Sequence, residues 1–237
     1  MSFSKNIIGK GFIAKNLFRI NSLIIKSKYT IYAAGISNSK IKSQKELSRE
    51  VNMFKKFFIK NKNKKIIYIS TADATNSLKN KSKYVKNKIK IEKFIIKQSK
   101  NYLILRIPQI IGESKNKKKL INYFYYCIKN RKKIELLGNV RRNVLDIDDV
   151  IKMIKIIILN SKINNKIITL SNKFFIKPIE IVKIFEKILK KKAIFYIKKS
   201  KKYQWNLNFK KNVIYFRKAK INFHNKYLIN AINKYYK

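Results

Sequence analysis

The sequence predicts an α/β fold in which a parallel sheet is flanked by helices. Three observations carry that prediction. Short β-type apolar runs alternate with amphipathic helical stretches, a glycine-bearing strand-turn-helix opens the chain, and 46% hydrophobic residues over 237 positions suffice for a proper core. In the first half the strand candidates are residues 5–8, 30–34, 65–70 and 102–107, each closed by Gly, Ser, Thr or Pro. Helical windows lie between them at 12–18, 44–60 and 82–99, and in the second of these Leu47, Val51, Phe54 and Phe58 make one continuous apolar face.

Beyond Gly112 the pattern loosens. A helix at 120–130, a strand at 134–137 and a helix at 148–160 are followed by a strand at 166–170, a helix starting near Pro178, a strand at 193–197 and a tyrosine-rich tail. These observations place a soft boundary at 112, dividing the chain into residues 1–112 and residues 113–237, with strand 166–170 able to return to the main sheet.

Charge is the compositional oddity, at 59 Lys+Arg against 11 Asp+Glu and a net +48. The excess is nearly all Lys, accompanies heavy use of Ile and Asn, and runs from Lys5 to Lys237 without gathering into a stripe. That spread suits compositional drift of an A/T-rich coding sequence and argues against a specific nucleic-acid partner, which would need a concentrated basic patch. Cys127 is the single cysteine, so a disulfide framework is excluded and a reducing, cytoplasmic setting is expected. Apolar runs such as 156–159 fall far short of the ~20 residues of a membrane span, so no membrane association is expected. His224 is the lone histidine, which excludes histidine-based catalysis and a histidine metal site and suggests a structural role; no metal is expected.

Ile7-Ile8-Gly9-Lys10-Gly11-Phe12-Ile13-Ala14 reads as a strand entering Gly-x-Gly-x-x-Ala and then a helix. Glycine is required first for the sharp turn and second so that a pyrophosphate can approach the backbone, and a small third residue lets helix and strand pack closely. The free N–H groups of the helix start then face the phosphates. Further on, Tyr84 and Lys88 are four apart in a helical window and share a face, following the strand that ends Ser70-Thr71.

The order Gly-x-Gly-x-x-Ala, Tyr32-Ala33-Ala34-Gly35, Tyr68-Ile69-Ser70-Thr71 and Tyr84-x-x-x-Lys88 resembles the extended short-chain dehydrogenase/reductases, the NAD-dependent epimerase/dehydratase family. Leu105-Arg106-Ile107-Pro108-Gln109-Ile110-Ile111-Gly112 and the segment from Arg141 to Val150 continue the likeness. The resemblance implies a Rossmann-type sheet that binds NAD or NADP within residues 1–112 and a smaller substrate-binding region within residues 113–237. It implies an enzyme, an epimerase, dehydratase or reductase acting on a nucleotide-activated sugar in surface polysaccharide synthesis. Tyr84 would exchange a proton with the sugar, Lys88 would favour the phenolate and hold the nicotinamide ribose, and Thr71 would hydrogen-bond the reacting oxygen. Gly9, Gly11, Phe12, Ile13, Ala34, Gly35, Ser70 and Lys88 would line the cofactor, and Arg142 with Asn143 the substrate.

Other charged residues carry expectations of their own. Asp148 or Asp149 would cap the following helix, Arg106 would brace the sheet edge, and Glu92 would form a helix-surface ion pair with Lys88. Asp73 lies where some dehydratases of the family carry an acid. The apolar face at Leu47, Val51, Phe54 and Phe58, with Ile91, Phe94 and Ile95, is either core or the four-helix contact of a homodimer.

The chain also departs from the family. About twenty residues separate Gly11 from Ala33, too few for two further βα units, so a portion of the first βαβ half is missing. The window Ile24, Ile25, Lys26, Ser27, Lys28 offers no acidic grip on the adenosine ribose, which leaves NAD and NADP both open and makes an inactive Rossmann-fold binding or regulatory protein the alternative.

Overall fold

The computed structural model describes residues 4–39, 41–75, 81–114, 116–117, 119–160, 163–199 and 207–237. In chain order the elements are β1 (Ile7–Ile8), α1 (Phe12–Leu17), α2 (Asn21–Lys26), β2 (Tyr29–Tyr32), α3 (Gln44–Lys60), β3 (Lys65–Thr71), α4 (Lys83–Gln98), β4 (Tyr102–Ile107) and β5 (Gln109–Ile111). The chain continues through α5 (Leu120–Lys129), β6 (Ile134–Leu137), β7 (Val144–Asp146), α6 (Ile147–Leu159), β8 (Lys166–Thr169), α7 (Pro178–Leu189), β9 (Phe195–Lys198), α8 (Val213–Lys218) and α9 (Tyr227–Tyr236).

The main sheet is parallel, in the order β1-β2-β3-β4-β8. Its register lines up Ile31, Ile67 and Leu103 in one row and Tyr32, Tyr68 and Ile104 in the next. Because successive side chains point to opposite faces, the first row enters a core shared with α1, α2 and α6, and the second a core shared with α3 and α4. Continuous apolar runs are what a sheet covered on both faces needs. Ser43 starts α3 by accepting the Glu46 N–H at 3.3 Å, and Ser82 starts α4 by accepting that of Val85 at 3.3 Å.

Strand β1 stands at the sheet edge, with only β2 beside it, and the chain passes from β1 to β2 through α1 and α2 alone. Among the described residues, no strand continues the sheet beyond β1 as a full Rossmann fold would, and strand order never reverses. β8 does return to the main sheet beside β4, so β4 is an inner strand and Arg106 does not lie at an edge. A third core gathers α5, α7 and α9 with the small parallel pairs β5–β7 and β6–β9.

The apolar faces of α3 and α4 lie against their own sheet. Leu47, Val51, Phe54, Phe58, Ile91 and Ile95 are buried within the chain, and Phe54 packs edge-on against Tyr32, Tyr68 and Phe94. Each such large side chain contributes roughly 1.5–3 kcal/mol through its burial, and none of these six is left to cover a second copy.

The tail folds into α8 and α9 and is latched to the start of α6. Asp146, rather than Asp148 or Asp149, is the N-cap there, its carboxylate accepting the Asp148 N–H at 2.9 Å. Tyr235 donates to Asp146 at 2.7 Å, Tyr227 donates to Asp149 at 2.9 Å, and Lys234 pairs with Asp146 and Asp148. Arg19 also pairs with Asp148, which ties α1's continuation to the same cluster. His224 accepts the backbone N–H of Lys226 at 3.2 Å in the turn before α9. α8 is short and is held by Phe216 packed against Phe209 and Phe223, whereas α9 buries Tyr227, Ala231 and Ile232 and adds this long-range polar latch.

With +48 on the chain, most of the surface repels itself. The thermal midpoint is therefore expected to rise as salt shortens the Debye length from about 30 Å at 0.01 M to about 8 Å at 0.15 M. Calorimetric scans at the two ionic strengths check it, and a flat or falling midpoint would show that the lysines are too well solvated to matter.

Candidate active site

The carboxyl ends of β1, β2 and β3 carry the glycine turn, Ala33-Ala34-Gly35 and Thr71 side by side. Gly9 has φ +142°, and a Cβ there would stand 2.6 Å from the Ala33 carbonyl oxygen, so both the turn and the approach of β2 demand glycine. Gly11 differs. A Cβ on it would meet nothing within 4 Å, which leaves open space over the start of α1, with Phe12 and Ile13 half-buried and Ala14 fully packed behind.

Thr71 ends β3 and Tyr84 opens α4, and the Thr71 hydroxyl is near enough to the phenol to act on its proton. Thr71 Oγ1 also accepts the Asp73 N–H at 3.3 Å, so it serves the local turn as well. Lys88, one helical turn on, places its ammonium 5.7 Å from the Tyr84 ring centre and 5.5 Å from that of Tyr68. That ammonium fills the notch beside Gly35, where a Cβ would collide with Nζ and stand 2.6 Å from a Glu50 carboxylate oxygen. The structure thus brings Gly9, Gly11, Ala34, Gly35, Thr71, Tyr84 and Lys88 to one end of the sheet.

The electrostatics differ from the expectation that Lys88 would favour the phenolate. Lys88 is paired with Glu50 at 2.7 Å, each side chain only 3% exposed. Burial first, then the carboxylates of Asp73 and Glu50, push the Tyr84 phenol well above its ordinary value, with the Thr71 hydroxyl pulling the other way. Here the phenol holds its proton.

Three further expectations are corrected. Glu92 is buried and does not pair with Lys88; it accepts from Ser70 Oγ at 2.5 Å and from Arg106 Nε at 3.0 Å. The Ser70 hydroxyl accordingly faces α4 and donates to Glu92. Arg106 fastens α4 to an inner strand. Asn143 is fully buried, its amide donating to Asn172 O at 3.0 Å and Phe174 O at 3.0 Å and accepting from Asn172 N at 3.1 Å. With donors and acceptor thus engaged it organises the 172–174 loop and has nothing left for a substrate. Arg142 is half-buried, and its backbone bridges to Ile176.

Two residues of the site are not signalled by motif. Glu50 lies on the apolar face of α3, three after Leu47 and four before Phe54, and a carboxylate at a core position in a chain with 11 acids is the signal that finds it. Lys119 precedes α5 and sets its ammonium 3.6 Å from the centre of the ring of Phe12, the residue after Gly11. Burial brings that ammonium down to about 8.

Residues 60–170 match the sequence model of the NAD dependent epimerase/dehydratase family, the stretch that runs from the end of α3 through Thr71, Tyr84, Lys88 and β8. This stretch belongs to that family. No curated protein matches the chain in sequence. Among solved structures, the epimerase/dehydratase fold is similar to UDP-glucuronic acid 4-epimerase from Bacillus cereus, in complex with UDP-glucuronic acid and NAD, at 18% identity and TM-score 0.72 over 92% of this chain and 79% of that one. It is similar to dTDP-glucose 4,6-dehydratase from Bacillus anthracis in complex with NAD at 16% identity and TM-score 0.63, over 88% and 72%. RMD from Pseudomonas aeruginosa complexed with NADPH gives 14% and 0.66 over 86% and 79%. At such identities the likeness establishes the fold: an epimerase/dehydratase-type parallel sheet flanked by helices, shortened at its first edge. Among the described residues no helix is long and apolar enough to cross a membrane.

Proposed function

We propose that this chain is an NAD(P)-dependent enzyme that epimerises, dehydrates or reduces a nucleotide-activated sugar, in the service of surface polysaccharide synthesis. The observation that carries the reading is the meeting of Thr71 and Tyr84, with Lys88 against Gly35, at the same end of the sheet as the Gly9 turn. The neighbours named above are complexed with NAD or NADPH and, in one case, UDP-glucuronic acid, which supports both the cofactor and the substrate class.

The residues fit the cofactor over its diphosphate and nicotinamide half. Gly11 leaves the approach to the α1 start open, Gly9 and Ala34 set the floor, and Phe12 and Ile13 line the rim. At the adenosine end β1 is, among the described residues, already the sheet edge, with no further strand end there to supply a carboxylate for the ribose. When bound, the nicotinamide ring would supply hydride exchange with the sugar. Tyr84 and Thr71 then hold the reacting oxygen between two hydroxyls, with the proton at Tyr84 Oη. Lys119 gives a cation against Phe12, next to the loop that faces the phosphates, and the Arg142 guanidinium is the group suited to grip the diphosphate of the substrate.

Equilibrium titration with NAD and NADP tests this. One of them is expected to bind with a dissociation constant below about 1 mM, and affinity should fall as pH rises through about 8, where Lys119 loses its charge. Lys119→Met should weaken binding and remove that pH step. One observation favours the second reading, an inactive Rossmann-fold binding or regulatory module: the sheet stops at β1 where the adenosine would lie. Failure of both cofactors to bind in that range would select it.

A further inference from the structure

We infer that Glu50 is a positioning residue of the site, holding Lys88 in the notch left by Gly35 and cancelling its charge, so that the proton stays on Tyr84 and the site is poised to give a proton to a ligand oxygen rather than to take one. Glu50 reaches from α3 to two successive residues of α4. One carboxylate oxygen receives Lys88 Nζ at 2.7 Å and the other receives Asn87 Nδ2 at 3.0 Å. Asn87 also donates to the Leu47 carbonyl at 3.3 Å, so the carboxylate is held from both sides. Gly35 is part of the same device, since any side chain there would occupy the place of the ammonium.

The groups facing Tyr84 come from four elements: Asp73 from the turn after β3, Tyr68 and Thr71 from β3 itself, Glu50 from α3, and Lys88 from its own helix. Among the described residues Lys88 is the one cation of this set, and it is spent on Glu50. A lysine 5.7 Å from the ring, if left uncompensated at an effective dielectric constant of about 20, would lower the phenol by roughly 1–2 pH units. Paired, it contributes little to the phenol. The consequence for catalysis rests on the proposed function, where a protonated Tyr84 favours the half-reaction in which the sugar oxygen gains a proton. The acid–base claim needs no cofactor.

The test is an alkaline titration of tyrosinate absorbance on the chain without cofactor, with Tyr84→Phe subtracted to isolate one phenol among 14. In the unmodified chain Tyr84 should titrate above the ordinary value of about 10. Glu50→Gln should bring it down by roughly 1–2 pH units, because Lys88 is then uncompensated. The double variant Glu50→Gln/Lys88→Gln, which buries no charge, should return it to within about half a unit of the original. A midpoint at or below 10 in the unmodified chain, or no movement in folded Glu50→Gln, overturns the inference. If Glu50→Gln does not fold, the double variant decides: a rise of a unit or more would mean that Lys88 had been acting on Tyr84 all along. Since no cofactor is present, a failed titration and a failed cofactor-binding experiment remain separate results.

Discussion

Tyr84→Phe is expected to lower turnover of the nucleotide sugar by roughly 10²–10⁴-fold, the usual worth of a positioned general acid. The substitution removes one hydroxyl and keeps the ring that packs near Lys88. Thr71 retains its bond to the Asp73 N–H, so the loss in stability should stay near 1 kcal/mol or below. Cofactor affinity should change little, because Lys119 and the glycine turn are untouched. Single-turnover rates together with a denaturation curve check the prediction. Activity within tenfold of the unmodified chain would move the acid elsewhere, with Asp73 the first candidate because its carboxylate already acts on this phenol.

Glu92→Ala should unfold the chain more readily than any surface change, by about 3–5 kcal/mol. Its carboxylate is buried, holds Ser70 and Arg106 together, and joins α4 to two neighbouring strands. Removing it strands a guanidinium that is 17% exposed and leaves a buried hydroxyl without its acceptor. Glu92→Gln keeps the shape and one acceptor and should lose distinctly less. By contrast, Lys183→Ala deletes an exposed pair with Glu186 and should cost under about 1 kcal/mol. Urea midpoints at unchanged slope measure all three, and equal effects for Glu92 and Lys183 would show that the buried pair is no more costly to break than a solvated one.

The fold of residues 7–107 is legible in the sequence because it rests on periodicity. Buried parallel strands must be short apolar runs, and the helices over them must show one apolar face, so β2, β3, β4, α3 and α4 announce themselves. The glycine turn is legible for a related reason, since the φ of Gly9 and the approach of Ala33 exclude any side chain. Strand β1 is shorter than the expected 5–8, having a partner on one side only. α8, six residues long, is too short to show a period and is held by Phe216 against Phe209 and Phe223, while α9 adds to its buried face at Tyr227, Ala231 and Ile232 the bonds of Tyr227, Lys234 and Tyr235 to three aspartates about eighty positions earlier.

The amino-acid order places Thr71, Tyr84 and Lys88 on one βα unit, two units after the glycine loop, and so where parallel strands end. It does not settle their charge state. Along the chain Lys88 reads as paired with Glu92 one turn on, yet folding gives Lys88 to Glu50 across a helix–helix contact and Glu92 to Arg106 across a strand. Local patterning places side chains on faces, whereas the partner of a buried charge is chosen by which opposite charge lies within hydrogen-bond reach once those faces close.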